Sequence, residues 1–283
     1  GVTSGELLVS AANVTARDTH TWGLMRIEST MVSLEGSEVY GQLVVDNVKW
    51  LRIHGSLIEP NGLVGLVIDT LGAAEVTVEN SSIGVADLAA VYVVSHDADK
   101  LVFKDSKVYD SFYGLLVLEN YREIAPDVIV EGNEFINVAI PVYVAPAATT
   151  STAHTLSVSE YIEDKTFYPQ SFFTPQLTIG EIFGTDQSIL SRIYIRYNIM
   201  FNSSTSIQVD GGLVAPVILG NKINAQDKGL SATGAYYVFA FFNDINAPVA
   251  IELNKTRQAI ISYNNVTGDI VVDTYSEGYV DLR

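Results

Sequence analysis

An eight-residue pattern returns ten times along this chain of 283 residues, and it constrains the fold more than any other feature. It reads apolar, any, apolar, any, turn residue, small residue or Asn, any, apolar. The members are LLVSAANV from Leu7, VSLEGSEV from Val32, LRIHGSLI from Leu51, VTVENSSI from Val76 and LVFKDSKV from Leu101. They continue with VIVEGNEF from Val128, IYIRYNIM from Ile193, PVILGNKI from Pro216, VFAFFNDI from Val238 and AIISYNNV from Ala259. The sixth place holds Ala12, Ser37, Ser56, Ser81, Ser106, Asn133, Asn198, Asn221, Asn243 and Asn264 in turn. Two places further on, every member is apolar, from Val14 to Val266. The fifth place is Gly, Asn or Asp in six of the ten, the types that tolerate a left-handed backbone. Successive sixth places lie 19 to 27 residues apart, with one gap of 65. Units of this size cannot bury an apolar face alone and do so by stacking on one another.

A second apolar alternation follows within most periods: YGQLVVDN, LVGLVIDT, AAVYVVSH, YGLLVLEN, AIPVYVAP, TSIQVDGG, PVAIELNK and GDIVVDTY. Its distance from the sixth place varies by several residues. One corner of each turn is therefore tight, while the other connections change length, as in-register stacking of parallel strands allows.

On these residues the chain resembles the right-handed parallel β-helix, the architecture of pectate lyases, polygalacturonases and many surface and phage-spike proteins. The likeness covers about residues 7–144 and 191–275. It implies an all-β fold, a single β-helix domain over residues 1–283 with about ten rungs, and a place among the non-catalytic structural or surface members. In that family, Asn side chains stack at the tight corner and hydrogen-bond along the axis. The resemblance thus implies a structural ladder at Asn133, Asn198, Asn221, Asn243 and Asn264. Ser at four earlier rungs and Ala12 at the first imply a shorter ladder of weaker bonds there. A leucine-rich repeat fits less well. The apolar anchor it needs before each strand falls on residues such as Ser29, Ala73, Ala98 and Thr256, and the second half of each period alternates like a strand.

The long gap holds an insertion, residues 145–190, between the sixth and seventh rungs. It contains a Pro/Ala/Thr linker, a helix-start signal at Ser157 or Ser159, and the aromatic stretch YPQSFFTPQ. Two roles are open: a cover packing Tyr161, Phe167, Tyr168, Phe172 and Phe173 on the outer sheet, or a contact with another subunit or with sugars. At its two ends the chain passes almost directly into and out of strand pattern. Free strand edges there lead to the expectation of a homo-polymer built by head-to-tail stacking, a heterologous contact that does not close.

Composition narrows the partners. Acids outnumber bases 33 to 16 and the net charge is −17, the wrong sign for nucleic acid. No apolar run reaches the ~18–20 residues of a membrane span. Cysteine is absent, which excludes disulfides and thiolate metal sites. Five N-x-S/T sequons, at Asn13, Asn80, Asn202, Asn254 and Asn265, point to N-linked glycans and an extracellular or cell-surface location.

Chemistry is harder to find. The enzymatic β-helices carry N-T-D, D-D, G-H-G and R-I-K strings, and none stands in this sequence. Arg52 and His54 in LRIHGS point outward from one strand and read as a solvated pair. His20, His96 and His154 have no zinc spacing. One acidic pattern does recur: Asp46, Asp69, Glu119, Asp210 and Asp273 each follow the second strand of a turn. Stacked at ~4.8 Å, such acids either face solvent or share a hard cation such as Ca2+. Asp97 and Asp99 resemble only part of a calcium loop. The expectation is therefore a secreted structural protein of a filament or surface layer. The alternatives are a lyase or hydrolase acting on acidic polysaccharide, or a viral or surface adhesin that binds glycans.

Overall fold

The structure is a computed structural model that describes residues 2–60, 62–96, 99–119, 127–146, 191–211, 214–273 and 279–282. Most of the insertion, residues 147–190, and with it His154, lies outside them, as does Asp97. Every regular element among the described residues is a β-strand, and every pairing is parallel. The chain is a parallel β-solenoid whose turns stack three sheets side by side.

Sheet one holds the strand before each tight corner. Its ladder runs Asn13–Arg17, Met31–Glu35, residues 50–54, residues 75–79, Lys100–Lys104, Asp127–Glu131, Ser191–Arg196, Val214–Leu219, Tyr237–Phe241, Gln258–Ser262 and Tyr279–Leu282. Sheet two holds the strand after the corner and sheet three the second alternation of each period. Asp127–Glu131 pairs directly with Arg192–Arg196, so the coil resumes in register after the insertion.

Corner geometry follows from the repeat. The fifth place adopts positive φ at Gly36, Gly55, Asn80, Asp105, Gly132, Tyr197, Gly220, Phe242 and Tyr263, with φ between 49° and 67°. This sharp turn aims the sixth side chain inward, where it accepts the main-chain N–H of the preceding turn's sixth residue. The serine links Ser37 to Ser56, Ser56 to Ser81 and Ser81 to Ser106 measure 3.2, 3.2 and 3.1 Å. The asparagine links from Asn133 through Asn198, Asn221 and Asn243 to Asn264 measure 2.9–3.0 Å. Each Asn amide also donates to a main-chain carbonyl of the preceding turn, as Asn198 Nδ2 does to Val130 at 3.0 Å. Buried polar main chain at the corner is thereby satisfied without water.

The first turn differs from expectation. Leu7–Ser10 pairs with Met25–Glu28 in sheet three, so Ala12 is not a corner residue. The corner of that turn is Asp18, at φ 49°, followed by Thr19, whose N–H donates to Ser37 Oγ at 3.2 Å. Val14 lies before the corner and pairs with Val32. The apolar pattern misled here because Thr21, fully buried against Met25, fills the inward place that Val or Ile fills elsewhere.

Inward side chains form continuous columns. In sheet three, Leu43, Leu66, Val91, Leu115, Val142, Ile207, Leu230 and Ile251 stack with no exposure at all. Each such aliphatic contributes about 1.5–3 kcal/mol relative to exposure. At the two ends, Leu7, Val9, Ala16, Val266, Ile270 and Val272 are only partly buried.

Candidate functional site

With the inward columns committed to the core, function is carried by the outward faces. The five acids of sheet three were candidates for a shared cation, and among the described residues they do not gather into one site, although Asp46 and Asp69 follow the paired Val45 and Ile68 on neighbouring turns. Asp46 is buried and holds Arg26, with Nη2 at 2.6 Å. Asp69 pairs along its main chain with Val94, and Glu119 pairs with Pro146. Asp273 accepts the N–H of Lys255 at 3.1 Å. Asp210 accepts Tyr143 Oη at 2.8 Å and Gln208 Nε2 at 2.7 Å. Among the described residues, no three His, Asp or Glu side chains converge where they could hold one metal ion.

Asp210 belongs to a seam along the outer side of sheet three. Toward the N-terminus the seam is apolar, with Val44, Val67, Tyr92, Leu116 and Tyr143 packed against residues of the bend that precedes the sheet. Toward the C-terminus it turns polar. Tyr143 stacks on Tyr113 at 5.6 Å between ring centroids, and Lys228 Nζ and Ser231 Oγ both bond Glu252 Oε2 at 2.7 Å. Burial raises the Asp210 carboxyl above its usual range despite the hydrogen bonds from Tyr143, Gln208 and Thr233. Burial pushes Glu252 the same way, but its bonds to Lys228 and Ser231 outweigh this and hold it low.

Sheet one presents two contrasting surfaces. Over its first turns the residue just before each corner alternates between basic and acidic types. Arg17 meets Glu35, Glu35 precedes His54, and Glu79, Lys104, Glu131 and Arg196 follow in register. Glu79 is its centre, nearly buried, bonded by Lys104 Nζ at 2.9 Å and by Arg52 Nε and Nη2 at 3.0 and 2.8 Å, with His54 Nδ1 at 3.4 Å. The Lys104 and Arg52 bonds hold its carboxyl below the usual range against the opposing effect of burial. Arg52 and His54 do face outward, but Arg52 is engaged with this carboxylate rather than free in solvent, while His54 Nδ1 lies beside it without a hydrogen bond.

Past Arg196, the described outward places of this sheet up to Ile260 carry no charge. They hold Val217, Leu219, Tyr237, Phe239, Phe241 and Ile260, next to Tyr194 on the strand of Arg196. Along one strand Tyr237, Phe239 and Phe241 stack at 6.0 and 6.4 Å with 17° between planes. The adjoining corner carries Tyr197, Phe242 and Tyr263, exposed by 56, 61 and 69%. Phe242 and Tyr263 stack at 5.3 Å and 6°. The Tyr197 ring lies over Gly220, where an added Cβ would come within 2.7 Å of it. All three aromatics hold φ of 55–56°, a region that disfavours bulky L-residues by ~1–2 kcal/mol each. Strain of this kind at an exposed place points toward function. The sequence held a signal for it: the fifth place, Gly, Asn or Asp in the earlier rungs, becomes Tyr or Phe in three of the last four.

Fold and surface together define an acidic parallel β-solenoid with one acid-free aromatic face. No family model matches the chain, and no curated protein or solved structure matches it significantly.

Proposed function

We propose that the protein is a structural element of an extracellular filament or surface layer, in which solenoids stack axially on further copies. The observation that carries this reading is the state of the two outermost sets of turns. Their inward rows, Leu7 and Val9 at one end and Val266, Ile270 and Val272 at the other, are half-buried and continue the fully buried columns between them. A second copy placed on either end extends those columns by further parallel strands. Sequon residues Asn13, Asn80, Asn202 and Asn265 are exposed and Asn254 is half-exposed, which suits N-linked glycans on the sides of such a rod. Peptide N-glycosidase treatment followed by mass spectrometry reads that part of the proposal.

Electron microscopy of the native material tests assembly. Ten corners at ~4.8 Å per turn make a rod of about 50 Å, so filaments or a lattice with that axial repeat, or a larger one if the rod is longer, are expected. Discrete monomers at high concentration would sink the reading.

The seam favours a second reading, cleavage of an acidic polysaccharide. There, one carboxyl is raised (Asp210) and another lowered (Glu252) on nearby turns, a division suited to acid and base roles. Activity on polyuronates, abolished in both Asp210→Asn and Glu252→Gln, would displace the structural proposal.

A further inference from the structure

We propose that the aromatic face of sheet one, with its corner of Tyr197, Phe242 and Tyr263, is a lateral contact through which two copies of this chain pair face to face. Charge is the first argument. In a chain of net charge −17, the outward places of sheet one in the first six turns interleave acids such as Glu35, Glu79 and Glu131 with bases such as Arg17, Arg52 and Lys104. From Tyr194 to Tyr263 the described outward places of this sheet hold no acid, and the exposed Asp244 stands past the corner at the start of sheet two. Two copies that repel elsewhere approach here without opposing carboxylates.

Ring orientation is the second argument. The faces of these rings are turned toward one another, Phe239 between Tyr237 and Phe241, and Phe242 on Tyr263. Aromatic rings arrayed in this way pair with further rings in stacked or edge-to-face contact. The same array on a second copy supplies such partners, and a two-fold arrangement makes the contact self-complementary.

Area sets its strength. Four strands at ~4.8 Å and five residues at ~3.3 Å give a patch of roughly 320 Å2, against about 800 Å2 per partner in a stable complex. A single pair is therefore weak, and the contact holds firmly only where axial stacking presents many copies at once. That last point rests on the proposed filament; the pairing itself does not.

Sedimentation of the full chain up to millimolar concentration separates the two. Wild type is expected to show weak, concentration-dependent dimerisation. Both Phe239→Asp and Phe242→Gly are expected to weaken it roughly tenfold or more, with Phe242→Gly shifting the melting temperature by no more than a few degrees. In micrographs, the variants should give single filaments where wild type gives laterally joined ones. A wild type that stays monomeric at millimolar concentration overturns the lateral contact, as does association indifferent to both substitutions. So does a face occupied by the chain's own residues 147–190, shown by protection of Phe239 and Phe242 from hydroxyl-radical labelling in the monomer. Absence of filaments with the weak dimer intact overturns only the axial proposal.

Discussion

Single side chains decide how tightly one turn grips the next. Asn198 Oδ1 accepts both the main-chain N–H and the side-chain amide of Asn133 at 3.0 Å, while its own amide donates to Val130 and Asn221. Asn198→Ala leaves several buried groups without partners and is expected to lower stability by about 2–4 kcal/mol, since each such group costs about 1–3 kcal/mol. Denaturant unfolding measures it. Two carboxylates should respond to acid with opposite signs. Glu79 has a depressed folded pKa, so its contribution is present above its unfolded value, 4.5, and is lost as pH falls through the folded one. Asp210 has a raised folded pKa, so the folded state gains stability as pH falls through that value. Urea unfolding at neutral and mildly acidic pH should therefore find Glu79→Gln destabilising at neutrality and Asp210→Asn stabilising there. Phe242→Gly removes strain of ~1–2 kcal/mol and stacking of ~0.5–1.5 kcal/mol, so its net effect on stability is expected within about 1 kcal/mol. Had these aromatics served the fold alone, glycine would have filled the corner as it does at Gly220 and Gly132.

Elements were legible in the sequence wherever inward and outward places differ in kind. VIVEGNEF carries Val128, Val130, Asn133 and Phe135 inward and Ile129, Glu131, Gly132 and Glu134 outward, and its strand limits and corner follow. The first turn failed that test because Ala16, Thr19 and Thr21 blur the difference, and an alternation belonging to sheet three was taken for sheet one. The structure makes a clear prediction. Ala12→Ser is expected to change stability by less than about 0.5 kcal/mol, as an exposed surface change away from the ladder does. Ser37→Ala removes the acceptor of Thr19 N–H and the donor to the Glu35 carbonyl, and should cost about 1–2 kcal/mol. Paired thermal melts of the two variants check it.

In the molecule as a whole, turns pack chiefly on their neighbours, with Tyr109 reaching past Gly84 to Glu59 two turns away, and stability accumulates turn by turn. Hydrogen exchange should accordingly be slowest for the amides of Val91, Leu115 and Val142, in mid-solenoid, and fastest for Leu7 and Ile270, whose columns stop within the described rod. Stacked copies would slow exchange at the ends, so the same measurement at filament-forming concentration reports axial assembly independently of microscopy. The candidate contact surface belongs to this scale too. Tyr194, Leu219, Phe239 and Ile260 are spread over four repeats and become one face only when the turns are laid in register.

Solenoid, corner and ladder are readable from the residues alone after the first turn, because period-two burial and a left-handed turn are local demands that each repeat must meet with its own residues. Tertiary structure alone decided which outward side chains became neighbours. Register along the axis brings together residues 20 to 67 positions apart, and so it sets the partners of Asp46, Glu79 and Asp210 and gathers the scattered aromatics into a surface.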